Sequence, residues 1–229
     1  MDARQEKVFS TVANARYHQF AYTGAEDEEI NDGDRLFWGG VYLGDGVVDH
    51  AIAHTGYNSV SIDAGAKTLQ FDINNIGLDH DYYRASVWTN SPTGQIAYQL
   101  NGGVAVVTNV DATLKSGDWY LVNVDIPVGS ASSLSVYCQA SSGTVNFDDF
   151  RVHPLDAAMT SYVYNNWGEL SHTIGANNFY TQYEYDDMGR LKEVWNEVLD
   201  NELKTYPPNY SGKILATENR IHYAREISE

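Results

Sequence analysis

Between residues 59 and 153 the chain alternates apolar and polar side chains with a period of two. "SVSID" (59–63) sets Val60 and Ile62 on one face, and "TLQFDI" (68–73) does the same with Leu69, Phe71 and Ile73. "YYRASVWT" (82–89) groups Tyr83, Ala85 and Val87 and leaves Tyr82 and Trp88 on the opposite face. "QIAYQL" (95–100) follows the turn signal "SPTG", and "VAVVT" precedes "LKSGD". "WYLVNVDIPV" (119–128) alternates throughout, with Tyr120, Val122, Val124 and Ile126 opposite Trp119, Leu121, Asn123 and Asp125. "SLSVYCQA" and "TVNFDDFRV" close the series. A period of two marks strands with one buried face. Short strands of this kind, punctuated by Gly, Ser, Asn and Asp, predict an antiparallel β-sandwich. No segment of this region sustains a helical period.

The flanks read differently. Residues 1–24 form a mixed polar lead-in with one strand expected at "YHQFAYTG". The acidic run "EDEEINDGD" (26–34) reads as a loop, and "HPLDAAMT" (153–160) as a linker. Beyond it, "SYVYNNWGEL" (161–170) and "QYEYDDMGRL" (182–191) match at Tyr162/Tyr183, Tyr164/Tyr185, Asn166/Asp187, Gly168/Gly189 and Leu170/Leu191, always 21 residues apart. Each copy offers a strand with two Tyr on one face, then a Gly turn, then a second strand. "GRLKEVWNEVLDNELKTY" (189–206) predicts a hairpin turning near Asp200–Asn201. Residues 207–229 begin "PPNYSGK", with a short helix expected after residue 216. The expected organisation is thus a lead-in (1–24), a sandwich domain (25–154), two repeats (155–206) and a tail (207–229).

Composition supports strands: the chain has 17 Tyr, 19 Gly and only 5 Pro. Its formal net charge is −17, which repels nucleic-acid backbones and anionic lipid. That leaves divalent cations and uncharged ligands such as sugars, or a charge that serves solubility alone. Cys138, the single cysteine, lies in an apolar run and excludes a disulfide framework. No apolar run approaches the roughly 20 residues that span a bilayer, so membrane insertion is not expected. The N-terminus lacks a signal peptide's apolar stretch, which fits a cytoplasmic protein or a part of something larger.

Catalytic signatures are missing: no GxSxG, HExxH or P-loop occurs. His80 between Asp79 and Asp81 reads as a polar turn. A non-catalytic chain is the expectation. For sugar binding, aromatic platforms flanked by amides are needed. The sandwich offers Trp38, Tyr82, Tyr83, Trp88, Tyr98 and Trp119, with Gln95, Gln99 and Asn101 as polar partners.

The duplicated segment resembles the YD repeats of Rhs-type proteins, whose core is close to YxYDxxGRL. The second copy carries every position: Tyr183, Tyr185, Asp186, Gly189, Arg190 and Leu191. The first keeps Tyr162, Tyr164, Gly168 and Leu170 but has Asn165 for the Asp and Glu169 for the Arg. Upstream, "GAEDEE", "AHTGYNSVSID", "DYYRASVWTN", "GDWYLVNVDI" and "VNFDDFRVHP" follow an order similar to galactose-binding-like jelly rolls of carbohydrate-binding modules. The junction with a YD repeat looks like large secreted Rhs-type proteins of Bacteroidetes. The two resemblances imply an all-β chain, a jelly roll followed by YD-repeat strands, at the cell surface or secreted. They also imply a structural Ca²⁺ held by Glu26, by the backbone from His54 to Tyr57, and by Asp148 or Asp149, one of which strand alternation turns away. Because about three repeats are needed for independent stability, two should pack on the jelly roll, a partner chain or further repeats. The primary expectation is therefore a structural or docking component of a larger repeat assembly. The alternatives are a carbohydrate-binding module for a glycan, or an accessory part of a toxin-encapsulating shell, whose toxin residues 207–229 are too short to be.

Overall fold

The computed structural model describes residues 7–31, 34–37, 39–76, 79–207 and 210–219, with the backbone alone for 28–31 and 34–36. Strands follow one another as β1 (Ser10–Ala13), β2 (Ala21–Thr23), β3 (Glu28–Asn31), β4 (Asp34–Phe37), β5 (Val41–Tyr42), β6 (Val47–Asp49) and β7 (Ser59–Asp63). Next come β8 (Lys67–Asn74), β9 (Tyr82–Thr89), β10 (Gly94–Leu100), β11 (Val106–Asn109), β12 (Lys115–Ser116), β13 (Trp119–Pro127), β14 (Ser133–Ala140) and β15 (Thr144–Pro154). The last five are β16 (Ala158–Tyr164), β17 (Leu170–Ile174), β18 (Tyr180–Tyr185), β19 (Leu191–Glu197) and β20 (Lys213–Glu218).

Two sheets make a sandwich, with orders β12-β13-β9-β15-β7-β6 and β11-β10-β14-β8-β5-β4-β3. From β7 to β10, and again from β13 to β15, successive strands alternate between the sheets, the connectivity of a jelly roll. The alternation read from the sequence lands where it should. Val60, Ile62, Leu69, Phe71, Ile73, Tyr83, Ala85, Val87, Ile96, Val122, Ile126 and Val136 meet in one core, with Cys138 among them. Burying each such side chain is worth about 1.5–3 kcal/mol, which is what fixes strand register here.

A third sheet, ordered β1-β16-β17-β18-β19-β20, carries the duplicated segment. One face buries Met159, Val163, Ile174 and Tyr180 against Tyr22 of the sandwich. It lies over the outer face of β9 and β13, where Trp88 and Leu121 pack with Leu199. Two of the duplicated segment's tyrosines bond backbone carbonyls through their hydroxyls. The Tyr164 hydroxyl donates to the Val8 carbonyl (3.1 Å), and that of Tyr185 donates to the Leu170 carbonyl (2.9 Å).

Five readings need correction. The acidic run is a hairpin, with Glu28 paired to Phe37 and Asn31 to Asp34, because the sheet's outermost strand tolerates charge. The lead-in is integral: Ser10 to Ala13 pair with Ser161 to Ala158 and cover the β16 edge. The linker is a tight turn, closed by the Ala157 amide on the Pro154 carbonyl at 3.0 Å. The strand returning to β19 is Lys213–Glu218 rather than residues before 206, since a 3-10 turn at Asp200–Glu202 delays it. It stays a strand to residue 218, where a helix was expected; residues 220–229 lie outside the described ones.

Candidate functional site

The last sandwich strand sets up the junction between the layers. Its pairing with β9 shifts register between Asp148 and Arg151, and Asp149 has a positive φ of 51°. This bulge breaks the alternation that should have split the two aspartates, so both reach the loop at 54–55. Asp148 accepts the backbone amides of His54 (2.8 Å) and Thr55 (3.1 Å). Asp149 accepts the Thr55 hydroxyl at 2.9 Å and the Tyr22 hydroxyl at 3.1 Å.

His54 itself lies between carboxylates of both layers. Its Nδ1 is 2.8 Å from Asp149 and its Nε2 is 2.7 Å from Glu197 of β19. The ring stacks on Trp88 with centroids 4.3 Å apart. Burial works against the imidazolium, but Glu197 and Asp149 outweigh it and push the pKa up to about 10. Both ring nitrogens are committed, so the group is a charged lock between sandwich and repeat sheet. Neighbouring Arg151, also buried, donates to the carbonyls of Gly175 (2.5 Å) and Met159 (3.1 Å) and to the Ser161 hydroxyl (3.2 Å). Burial lowers it to about 10. Burial and Asp149 push the Asp148 carboxyl up, while His54 and the loop amides pull it down.

The residues named for calcium converge on this same loop. Glu26 Oε1 accepts the amides of Tyr57 (2.6 Å) and Asn58 (2.9 Å), and its Oε2 accepts the Asn58 side chain at 3.0 Å. The loop thus presents N–H donors to Glu26 and Asp148, where a cation would need carbonyl oxygens. Among the described residues no group of three or more His, Cys, Asp or Glu could hold a metal ion. Calcium therefore rests on the sequence resemblance alone.

Two adjoining grooves open where that loop meets the duplicated turns. The larger, about 740 Å³, is lined by Tyr57, Asn165, Trp167, Glu169, Ser171, Tyr183, Glu184, Tyr185, Asp186, Asp187 and Gly189. The smaller, about 320 Å³, shares Tyr57 and Asn165 and adds Lys7, Tyr162 and Tyr164. The turns that shape them are alike. Asn165 and Asp186 each accept two amides through a side-chain oxygen, from Trp167 and Glu169 in one turn and Met188 and Arg190 in the other. Gly168 and Gly189 supply the positive φ, 83° and 73°, that closes them. At the turn tips stand Trp167, 89% exposed, and Met188, while Tyr57 is 47% exposed.

The sugar-binding residues chosen from the sandwich do not form this site. Trp88 is fully buried, its indole N–H donating to the Asn178 carbonyl at 2.7 Å, because the repeat sheet covers its face. Tyr98 packs on the sandwich core, and the Gln99 amide donates to the Gly103 carbonyl at 2.8 Å. Tyr82 is exposed but lines neither groove, and Trp38 lies outside the described residues. Trp167 and Glu197 were missed. The signal for Trp167 was a large aromatic at a repeat's turn tip, where burial is not available.

No protein-family model matches the chain, and no curated protein matches it. Solved structures with some similarity include the CBM22-1 xylan-binding domain from Paenibacillus barcinonensis Xyn10C, at 15% identity and a TM-score of 0.37, covering 58% of this chain and 92% of that one. Another is CBM35 from Cellvibrio japonicus Abf62, at 16% identity and a TM-score of 0.37, covering 52% of this chain and 88% of that one. A third is the GH115 4-O-methyl-alpha-glucuronidase BtGH115A, at 15% identity and a TM-score of 0.39. That match covers 51% of this chain, which spans 17% of the enzyme's length.

Proposed function

We propose that the chain is a glycan-binding module, and that sugar rings lie in the grooves between Tyr57 and the duplicated turns. The observation that carries this is the exposure of Trp167 beside a groove otherwise lined by tyrosines, carboxylates and amides. A bare indole in water is unfavourable by itself, and its flat apolar face matches the C–H face of a pyranose. The surrounding Asn165, Ser171 and carboxylates supply the hydrogen-bonding groups that sugar hydroxyls need.

The assembly reading draws less from the structure. It was motivated by repeat strands left open, and β1 and β20 of the same chain cover the β16 and β19 edges. By resemblance alone, we keep the duplicated strands as YD-type repeats of a secreted or surface protein. The direct test is a glycan array probed with the chain and with Trp167→Ala. Hits lost in the variant support the reading; an array without hits, or hits indifferent to the substitution, would remove it.

A further inference from the structure

Resting on that reading, we propose that the larger groove selects glycans bearing free amines, such as glucosamine oligomers, over their N-acetylated, neutral or uronic counterparts. The two turns differ in charge. In the second copy Asp186 and Arg190 neutralise each other, Nη2 to carboxylate at 2.7 Å. In the first copy the same two positions hold Asn165 and Glu169, joined at 2.7 Å by an amide donating to a carboxylate. The exchange keeps the turn and deletes its cation, so one repeat contributes a net negative charge to the groove.

The rest of the lining adds to it. Glu169, Glu184, Asp186 and Asp187 all face the groove, and no Lys or Arg is among its described lining residues. Arg190 offsets Asp186, and Lys213 lies 3.5 Å from Glu184. Glu169 and Asp187 have no cationic partner among the described residues. Glu169 reaches across the groove to the second turn, where its Oε1 comes within 2.9 Å of where a Cβ on Gly189 would stand. Burial raises the Tyr185 hydroxyl's pKa, and the nearby Glu169 carboxylate adds to the rise.

Aromatic rings provide the other half. Trp167, Tyr57, Tyr183 and Tyr185 line the same space, and ring faces attract ammonium groups, Trp most strongly. An aromatic cleft with surplus carboxylates repels uronic acids, holds hydroxyl sugars by stacking alone, and gains both stacking and charge from an amino sugar. The smaller groove differs, because Lys7 lines it.

The experiment is isothermal titration at mildly acidic pH of a chitosan hexamer and its fully N-acetylated counterpart, at low and raised salt. The free-amine oligomer is expected to bind about tenfold tighter, the sum of a ring–cation contact and an exposed ion pair, with a ratio that shrinks in salt. The double variant Glu169→Gln, Asp187→Asn should narrow the ratio to about twofold, whereas Asp72→Asn on the far sheet should leave it as it was. Equal or tighter binding of the N-acetylated oligomer overturns the inference and leaves the glycan-binding reading standing. Free-amine binding that survives Trp167→Ala, or that a lysine-rich peptide matches, overturns it as general charge attraction. If neither oligomer nor any other glycan binds, both readings fall.

Discussion

His54 is the residue on which the two layers depend. Truncating it leaves Asp149 and Glu197 buried without their shared partner, and breaking a buried pair in this way costs about 3–5 kcal/mol. His54→Ala is therefore expected to lower the unfolding free energy by that order, measured by urea titration followed by tryptophan fluorescence. The imidazole's pKa is raised from 6.5 to about 10, so its stabilising charge is fully present below the unfolded value and lost as pH rises through about 10. Stability should fall steeply between pH 7 and 10 in the native chain and lose that slope in His54→Gln; an unchanged slope would contradict the lock. The "HTG" segment was singled out in the sequence for its backbone. That its side chain bridges two sheets was not legible, because Glu197 lies 143 positions away.

Hairpin turns decide the outcome at the level of elements. Gly189 holds a left-handed φ of 73°, and a Cβ there would press on Glu169 Oε1 at 2.9 Å. Gly189→Ala should cost about 1–2 kcal/mol in thermal or chemical melts and weaken glycan binding, while Gly168→Ala, next to the Lys7 side chain at 3.7 Å, should show mainly the backbone cost. Removal of residues 1–15 should uncover the β16 edge and yield self-association by size-exclusion chromatography, where a monomer would show the strand to be dispensable. β8, β9 and β13 were legible because one face of each faces the sandwich core and takes apolar side chains at every second position, as Leu69, Phe71 and Ile73, Tyr83, Ala85 and Val87, and Val122 and Ile126 do. β3 and β20 were not, since a charged outer strand and an exposed one carry no such pattern. The bulge at Asp148–Arg151 hid for a related reason, as one extra residue cancels alternation without changing composition.

At the scale of the whole molecule the site exists only because two layers meet. Tyr57 comes from the sandwich, and Trp167, on a turn, and Tyr183 and Tyr185, on β18, come from more than a hundred positions later. Within the sandwich the sequence offers Trp88 as a platform, but the repeat sheet covers its face. The duplication was legible, but the groove between its turns required the packing of one sheet on another. With His54 and Arg151 tying those layers, the chain should unfold in one transition, so the groove is held by a single cooperative unit. The central claim is where a glycan sits, and amide hydrogen exchange with and without a bound oligosaccharide tests it most directly. Protection confined to the loop around Tyr57 and the turns at 165–171 and 183–190 is the predicted result. Protection instead on the outer face of β10 and β14, around Gln95, Gln99 and Gln139, would contradict the account.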